Sequence, residues 1–372
     1  MAMPATAVSD RIAELLPPGG FPLGLIDADG QPTDAGGVLN PPPPEALLEL
    51  HRRMVVGRRF DTQATALARQ GRLAVYPSSR GQEACQIGVA LALREQDWLF
   101  PTYRDSVAVL TRGVGGVEVL SMMRGEWHCG YDPYEHRVAP QCTPLATNAL
   151  HAVGLAHAAR LKGEDTVALV LLGDGATSEG DTHEALNFAG VWNAPVVFLV
   201  QNNGYAISVP LSKQTAAPAL ACKGVGYGVP SLLVDGNDAA AVFAAVRCAV
   251  ERATAGGGPT FIEALTYRVD AHTSADDPTR YRDDAEVQAW LTRDPLARLE
   301  KHLRATGLLD DERARAVQEE AEQVAAEARE GLSAEVEVDP AALFEHVYAE
   351  PTENLLEQRA RLLDELAEEE QS

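Results

Sequence analysis

Asp174 and Asn203 lie 29 positions apart, each just beyond a short apolar run that reads as a strand. A carboxylate and a side-chain amide, joined by a backbone carbonyl from the turn at Tyr205, make a set of hard oxygen donors. Mg2+ favours such oxygens in near-octahedral array and usually completes its shell with phosphate and water. Gly173 and Gly175 flank the carboxylate and let the backbone approach a diphosphate, and a helix opening near Ser178 can direct N–H groups towards it. Each fragment alone says little. Gly-x-Gly is an ordinary strand-to-helix turn, GDGATSEG lacks the third glycine of a dinucleotide loop, and Asn203-Gly204 is a common turn signal. The combination is far more specific: GDG, 26 residues, then Asn202-Asn203 closing a buried strand.

His272 is the second candidate for chemistry. It stands in a loop crowded with charge, among Arg268, Asp270, Asp276, Asp277, Arg280 and Arg282. An imidazole titrates near neutral pH and can pass protons to and from a reacting oxygen or sulfur. His51, His151 and His157 lie in helical stretches and read as packing or surface residues, as do His183 and His302.

These residues need a scaffold that brings distant strand ends together. Val167–Leu172 is a short, continuous apolar run bounded by Gly173, the pattern of a strand buried on both faces. Glu179–Trp192 follows as a helix, Pro195–Val200 as a second buried strand, Ala239–Thr254 as a helix and Phe261–Tyr267 as a third strand. Such alternation predicts an α/β fold with a doubly wound parallel sheet and right-handed crossovers. Ligands in such folds sit beyond the carboxyl ends of the strands. Polar residues cluster there: Gly173-Asp174-Gly175, Gln201-Asn202-Asn203, and Arg268 through Arg282. With one helix between them, Asp174 and Asn203 fall at the same edge of adjacent or near-adjacent strands.

Residues 1–44 are rich in Pro and Gly and read as an extended arm that lies on another surface. The main domain spans 45–312, opening with a helix from Glu45 to about Arg69 that Gly71 stops. Residues 313–372 read as an acidic helical tail interrupted by Pro340 and Pro351. Against 31 Lys and Arg stand 54 Asp and Glu, for a net charge of −23, which repels nucleic acid and anionic membrane. No stretch approaches the roughly 20 apolar residues of a membrane span. The start carries Asp10 and Glu14 and does not resemble a secretory signal. Five scattered cysteines without a C-x-x-C pair point to reduced thiols and a cytoplasmic protein.

Several separated motifs agree on one family: RQGRLAVY (69–76), RGQEA (80–84), PTYRDS (101–106), RGEWHCG (124–130), TPLAT (143–147), the GDG…NN element and AHTSADDPTRYR (271–282). With these motifs the chain closely resembles alpha subunits of bacterial pyruvate and branched-chain 2-oxo acid dehydrogenases, which bind thiamine diphosphate and Mg2+. The resemblance implies the diphosphate-binding half of the thiamine-diphosphate-binding fold. It implies Asp174, Asn203 and the Tyr205 carbonyl as Mg2+ ligands. It implies Tyr103 and Arg104 on the diphosphate, Gly175 and Ala176 donating backbone N–H groups to it, and Thr143 and Leu145 along the aminopyrimidine and thiazolium side. Arg268 and His272 match a mobile loop at the channel mouth, where the histidine assists acyl transfer to a lipoyl arm, and His128 matches a catalytic channel residue. Related branched-chain subunits have Arg where Gln201 stands, and Gln beside a structural cation site where Asn148 stands. The resemblance further implies a beta subunit in an alpha-two beta-two heterotetramer, docked to a lipoyl-bearing acyltransferase core and acting on a 2-oxo acid. An acetoin dehydrogenase alpha subunit and a non-catalytic scaffold subunit are the alternatives.

Overall fold

The computed structural model describes residues 15–16, 22–35, 37–125, 127, 129–334 and 339–369. A compact unit runs to Gly331, and residues 332–372 form a second. Seven strands occur among the described residues: β1 (Trp98–Phe100), β2 (Ala168–Gly173), β3 (Val196–Asn202), β4 (Tyr205–Ala206), β5 (Val209–Pro210), β6 (Ser231–Asp235) and β7 (Thr260–Leu265). Five of them form a parallel sheet in the order β1-β2-β3-β7-β6, and β4 and β5 make a small antiparallel hairpin.

β2 and β3 are continuous apolar runs, ALVLLG and VVFLVQN, because both sheet faces are covered. On one face Ala168, Val170, Leu172, Val196, Phe198 and Val200 pack with Ala149, Ala152, Ala156, Ala185 and Ala189. Those alanines come from the helices Thr147–Lys162 and Gly180–Trp192, and their small side chains let the helices settle close to the strands. Leu169, Leu171, Val197 and Leu199 alternate with the first set and are fully buried on the opposite face. The helix Ala239–Thr254 packs against β3, β6 and β7 and against the helix Glu83–Ala92. The expected strand and helix boundaries agree with the observed ones to within about two residues. β1 and β6, neither of them anticipated, extend the sheet at its two edges.

The described part of the N-terminal segment lies along β6. Leu23 N–H donates to Leu233 O and Asp235 N–H to Leu23 O, so a stretch of arm adds one bridge to the sheet edge. Asp238 secures it: one carboxylate oxygen accepts from Leu25 and Ile26 N–H at 2.7 Å, while the other caps the helix Ala239–Thr254.

The acidic helix Asp311–Gly331 belongs to the first unit, so that unit extends past the boundary expected at 312. It lies on the helix Pro44–Arg69, burying Ala321, Ala325 and Ala328 at i, i+4, i+7 spacing and pairing Glu322 with Arg59 at 2.7 Å. In the second unit a short 3-10 turn, Pro340–Phe344, packs on the helix Glu353–Glu369. All five cysteines are free. Among the described residues no helix is long and apolar enough to cross a membrane.

Candidate functional site

β2 and β3 run side by side with Gly173 opposite Gln201, so the residues after both strands emerge at one sheet edge. Asp174 follows β2 and is buried; Asn203 follows β3 and is buried. A cavity of about 210 Å3 opens there. Its lining includes Asp174, Gly175, Ala176, Asn203 and Tyr205, together with Tyr103, Arg104, Leu145, Arg268 and His272 from three other segments. Thus nearly every residue proposed from the sequence meets in one place. Thr143 is exposed and is not among the lining residues, two positions short of Leu145, which is. His128 lies outside the described residues.

The turn after β2 is shaped for close approach. Residues Gly175–Ser178 form one turn of 3-10 helix before the α-helix begins at Gly180, so the N–H groups of Gly175 and Ala176 open that turn at the cavity wall. A Cβ on Gly175 would stand 2.8 Å from that of Ala206, so a side chain there would push the β4–β5 hairpin away. In that hairpin Ile207 holds φ at 55°, an unusual conformation for a β-branched residue, and its carbonyl accepts a 2.7 Å bond from Arg268 Nη2.

The lining carries two carboxylates, Asp174 and Glu179, and two guanidiniums. Arg104 and Arg268 are both almost fully buried, and neither makes an ion pair among the described residues. Arg104 donates to the carbonyls of Ser78 and His272, and Arg268 to Ile207 O and the Tyr281 hydroxyl. Arg268 Nε is buried with no partner. Burial, then repulsion from Arg104, lowers the Arg268 pKa. Two desolvated guanidiniums at the wall of one cavity, neither in an ion pair among the described residues, suit an anion with several oxygens, since a planar fork can hold two of them.

His272 sits between these arginines. Its Nδ1 lies 3.1 Å from Arg104 Nη2 and 3.1 Å from Arg268 Nη1. Guanidinium nitrogens only donate, so Nδ1 accepts from both and the ring proton resides on Nε2. Burial, reinforced by the charges of Arg104 and Arg268, pushes the pKa down to about 4. This corrects the expectation of a ring that titrates near neutrality: flanked by two cations, it stays neutral. Asp276 accepts from His272 N–H at 2.8 Å and from the Tyr281 hydroxyl, which ties the loop beneath the ring.

For a cation the donors are one carboxylate, one amide and main chain, because no cluster of three His, Cys, Asp or Glu side chains exists among the described residues. Asp174 accepts 2.7 Å from Gln214 Nε2, and burial raises its pKa against that bond and the field of Arg268. A buried carboxylate in this state gains most from a cation held against it. Asn203 Oδ1 accepts from Tyr205 N–H at 3.2 Å and keeps a second lone pair free. The donor set is all hard oxygen and fits a small divalent cation shared with phosphate.

Gln82, Asp105 and Gln214 were not identified as site residues from the sequence, and Gln201 was singled out only as standing where related subunits have Arg. Gln82 and Asp105 belong to the quoted motifs RGQEA and PTYRDS, so the signal was present as position without an assigned role. Gln214 follows the hairpin in a stretch without motif character, and only the fold brings it to Asp174.

Comparison with known proteins identifies the family. The family described as Dehydrogenase E1 component matches residues 51–340. The chain is 48% identical to the 3-methyl-2-oxobutanoate dehydrogenase subunit alpha of Mycobacterium tuberculosis over 346 residues, covering 93% of this chain and 94% of that protein. It is 40% identical to the pyruvate dehydrogenase E1 component subunit alpha of Staphylococcus aureus over 317 residues, covering 84% and 85%. The match takes in every strand of the sheet and every described residue that lines the cavity, and on that extent the chain belongs to the dehydrogenase E1 component family.

Proposed function

We propose that this chain is the alpha subunit of a 2-oxo acid dehydrogenase and that its cavity holds thiamine diphosphate and Mg2+. The observation that carries the reading is the meeting of two buried, unpaired arginines with a carboxylate and an amide oxygen at one sheet edge. That is the complement of a diphosphate bridged by a divalent cation. Asp174, Asn203 and the Tyr205 carbonyl would hold Mg2+, while Tyr103, Arg104 and the N–H groups of Gly175 and Ala176 would hold the diphosphate. Leu145, which lines the cavity and is 42% exposed, offers an apolar contact for the cofactor rings, and Thr143 stands two positions before it.

Bound thiamine diphosphate supplies the electron sink for loss of CO2 from the 2-oxo acid. The chain's own residues orient and protonate. Arg104 and Arg268 hold His272 Nδ1 as acceptor, which leaves the single ring proton on Nε2. That N–H offers a hydrogen bond to the sulfur that departs when the acyl group passes to a lipoyl arm. Bound diphosphate, by offsetting the two arginines, would raise the ring's pKa so that an imidazolium could form and deliver a proton there, and His128 is proposed as a second catalytic group. A beta subunit completes the site in an alpha-two beta-two assembly and supplies the carboxylate that faces the aminopyrimidine. A lipoyl-bearing acyltransferase accepts the product.

The greater identity and coverage of the branched-chain relative support 3-methyl-2-oxobutanoate over pyruvate as the better substrate. The test is turnover by the assembled alpha–beta complex with 3-methyl-2-oxobutanoate, pyruvate and acetoin. We expect decarboxylation of the 2-oxo acids, fastest with the branched one. Turnover of acetoin alone would assign the chain to an acetoin dehydrogenase, and no thiamine-dependent turnover would leave a scaffold subunit.

A further inference from the structure

Asn203 can serve a cation only with its oxygen turned towards the cavity, and a side-chain amide is nearly symmetric in shape, so something must choose between its two faces. A buried chain of side chains makes that choice. Asn203 Nδ2 donates to Gln82 Oε1 at 3.0 Å, Gln82 Nε2 donates to Gln201 Oε1 at 3.0 Å, and Gln201 Nε2 donates to Asp105 Oδ1 at 2.6 Å. All four residues are more than nine-tenths buried. The chain joins three elements: the start of the helix Glu83–Ala92, the end of β3 and the turn after β1.

We propose that Asp105, Gln201 and Gln82 are positioning residues whose hydrogen-bond polarity fixes which face Asn203 shows to the cation; this rests on the assignment of the cavity as a Mg2+–diphosphate site. Polarity is set at one end. Asp105 Oδ2 accepts from the Thr102 N–H and hydroxyl, both at 2.7 Å, and the backbone donor cannot be reversed. Burial raises the Asp105 pKa, opposed by the bonds from Thr102 and Gln201; in its ionised form the carboxylate presents only acceptors, so Gln201 must turn its NH2 to Oδ1. Each amide downstream then has one permitted orientation, because the reverse would set NH2 against NH2 or oxygen against oxygen with no water to relieve it. The last member, Asn203, gives its NH2 to Gln82 and leaves Oδ1 for Tyr205 N–H and the cavity.

An isosteric change at the far end should therefore reverse the whole chain. In Asp105→Asn the new amide must keep its oxygen on Thr102 N–H, which places its NH2 against Gln201. Gln201, Gln82 and Asn203 each rotate in response, and Asn203 then offers NH2 to a cation. A second substitution restores the order. In Asp105→Asn with Gln201→Glu, the carboxylate moves one step along the chain, accepts from both neighbours, and leaves Gln82 and Asn203 as in the parent. A merely structural role for Asp105 predicts no such rescue, because the double variant has lost both original side chains.

The experiment is Mn2+ affinity of the assembled alpha–beta complex at saturating thiamine diphosphate, followed by electron paramagnetic resonance, with thermal melting of each variant. We expect Asp105→Asn to weaken Mn2+ roughly 10–100-fold, the effect typical of partners that orient metal ligands. The double variant should return to within about threefold of wild type, and Asp174→Ala and Asn203→Ala should abolish or strongly weaken binding. If Asp105→Asn does not fold, Gln82→Met, which cuts the chain next to Asn203, should weaken Mn2+ in the same way. Wild-type affinity in Asp105→Asn or Gln82→Met, or no rescue by the double variant, overturns the relay while Asp174→Ala and Asn203→Ala still fail to bind. Wild-type affinity in Asp174→Ala and Asn203→Ala overturns the metal site itself, and the relay with it.

Discussion

At neutral pH the ring of His272 carries one proton, on Nε2, because two guanidiniums occupy Nδ1 and burial disfavours a third positive charge. Its folded pKa is depressed below the ordinary histidine value, so the neutral form persists above both values and charging begins only as pH falls towards about 4. In the cofactor-free chain, nitrogen-15 shifts of His272 should show the Nε2–H tautomer unchanged from pH 8 to pH 5.5. A midpoint above 6 would mean that the arginines do not bracket the ring. A diphosphate bound between those arginines adds negative charge, and the midpoint should then rise. At Asp174 and Asn203 the expected losses differ in size. Asp174→Ala should weaken Mg2+-dependent cofactor binding beyond the roughly 10–100-fold typical of outer partners, since it removes charge as well as a ligand. Asn203→Ala should act in the same direction and more weakly, because an amide oxygen carries no net charge. Calorimetric titration of the two variants ranks them. The types of these residues were legible in the sequence because strand-end polar residues in glycine-rich turns are conspicuous. The polarity of Gln82 and Gln201 was not, since it depends on partners 119 and 96 positions away.

Among the elements, the helix Pro44–Arg69 governs the cavity from behind through Asp61. This carboxylate is buried and accepts from Tyr76 Oη, Ser78 Oγ and Ser79 N–H at 2.7–2.8 Å. The segment it holds in turn receives Arg104 on Ser78 O and links to Asp270 through Ser78 Oγ. Burial pushes the Asp61 pKa up to about 6, against the three hydrogen bonds that favour its ionised form. A carboxyl raised in the folded state contributes stability that is complete below its unfolded pKa, near 4, and is lost as pH rises through about 6. Two pH units correspond to roughly 3 kcal/mol. The stability of wild type minus that of Asp61→Asn, from urea unfolding, should therefore fall between pH 4 and pH 6. A difference that rises over that window would contradict the assignment. At this scale β2, β3, β7 and the helices between them were legible from periodicity and length. β6 was not, because SLLVD is short and its place at the sheet edge depends on pairing with β7. The helix Asp311–Gly331 read as the start of an acidic helical tail because its buried stripe is alanine, which barely stands out from the acidic residues around it.

For the whole molecule, membership of the dehydrogenase E1 family points to a partner subunit beside the cavity. Leu145 and Ile207 line it and remain 42% and 56% exposed, apolar surface that a cofactor and a partner would cover. The purified alpha chain alone should show little or no decarboxylation at any thiamine diphosphate concentration, and addition of the beta subunit should restore it. Robust turnover by the single chain would replace the two-subunit account with a self-sufficient enzyme. In the assembled complex, His272→Ala should reduce acyl transfer to a lipoyl domain more than decarboxylation measured with an artificial electron acceptor. A positioned acid typically contributes roughly 10²–10⁴-fold. Equal losses in the two assays would assign His272 to an earlier step or to bracing the loop. The assembly was not legible from composition or periodicity, which describe one chain's core and surface, and entered through resemblance alone.

The central claim is that the strand-end cavity binds a Mg2+-bridged diphosphate, and it is tested most directly by titrating thiamine diphosphate into the assembled wild-type and Asp174→Ala complexes, each with and without Mg2+. The account predicts saturable binding by wild type that requires Mg2+, and loss of both the affinity and the metal requirement in Asp174→Ala. Equal, Mg2+-dependent affinity in the two complexes would contradict it.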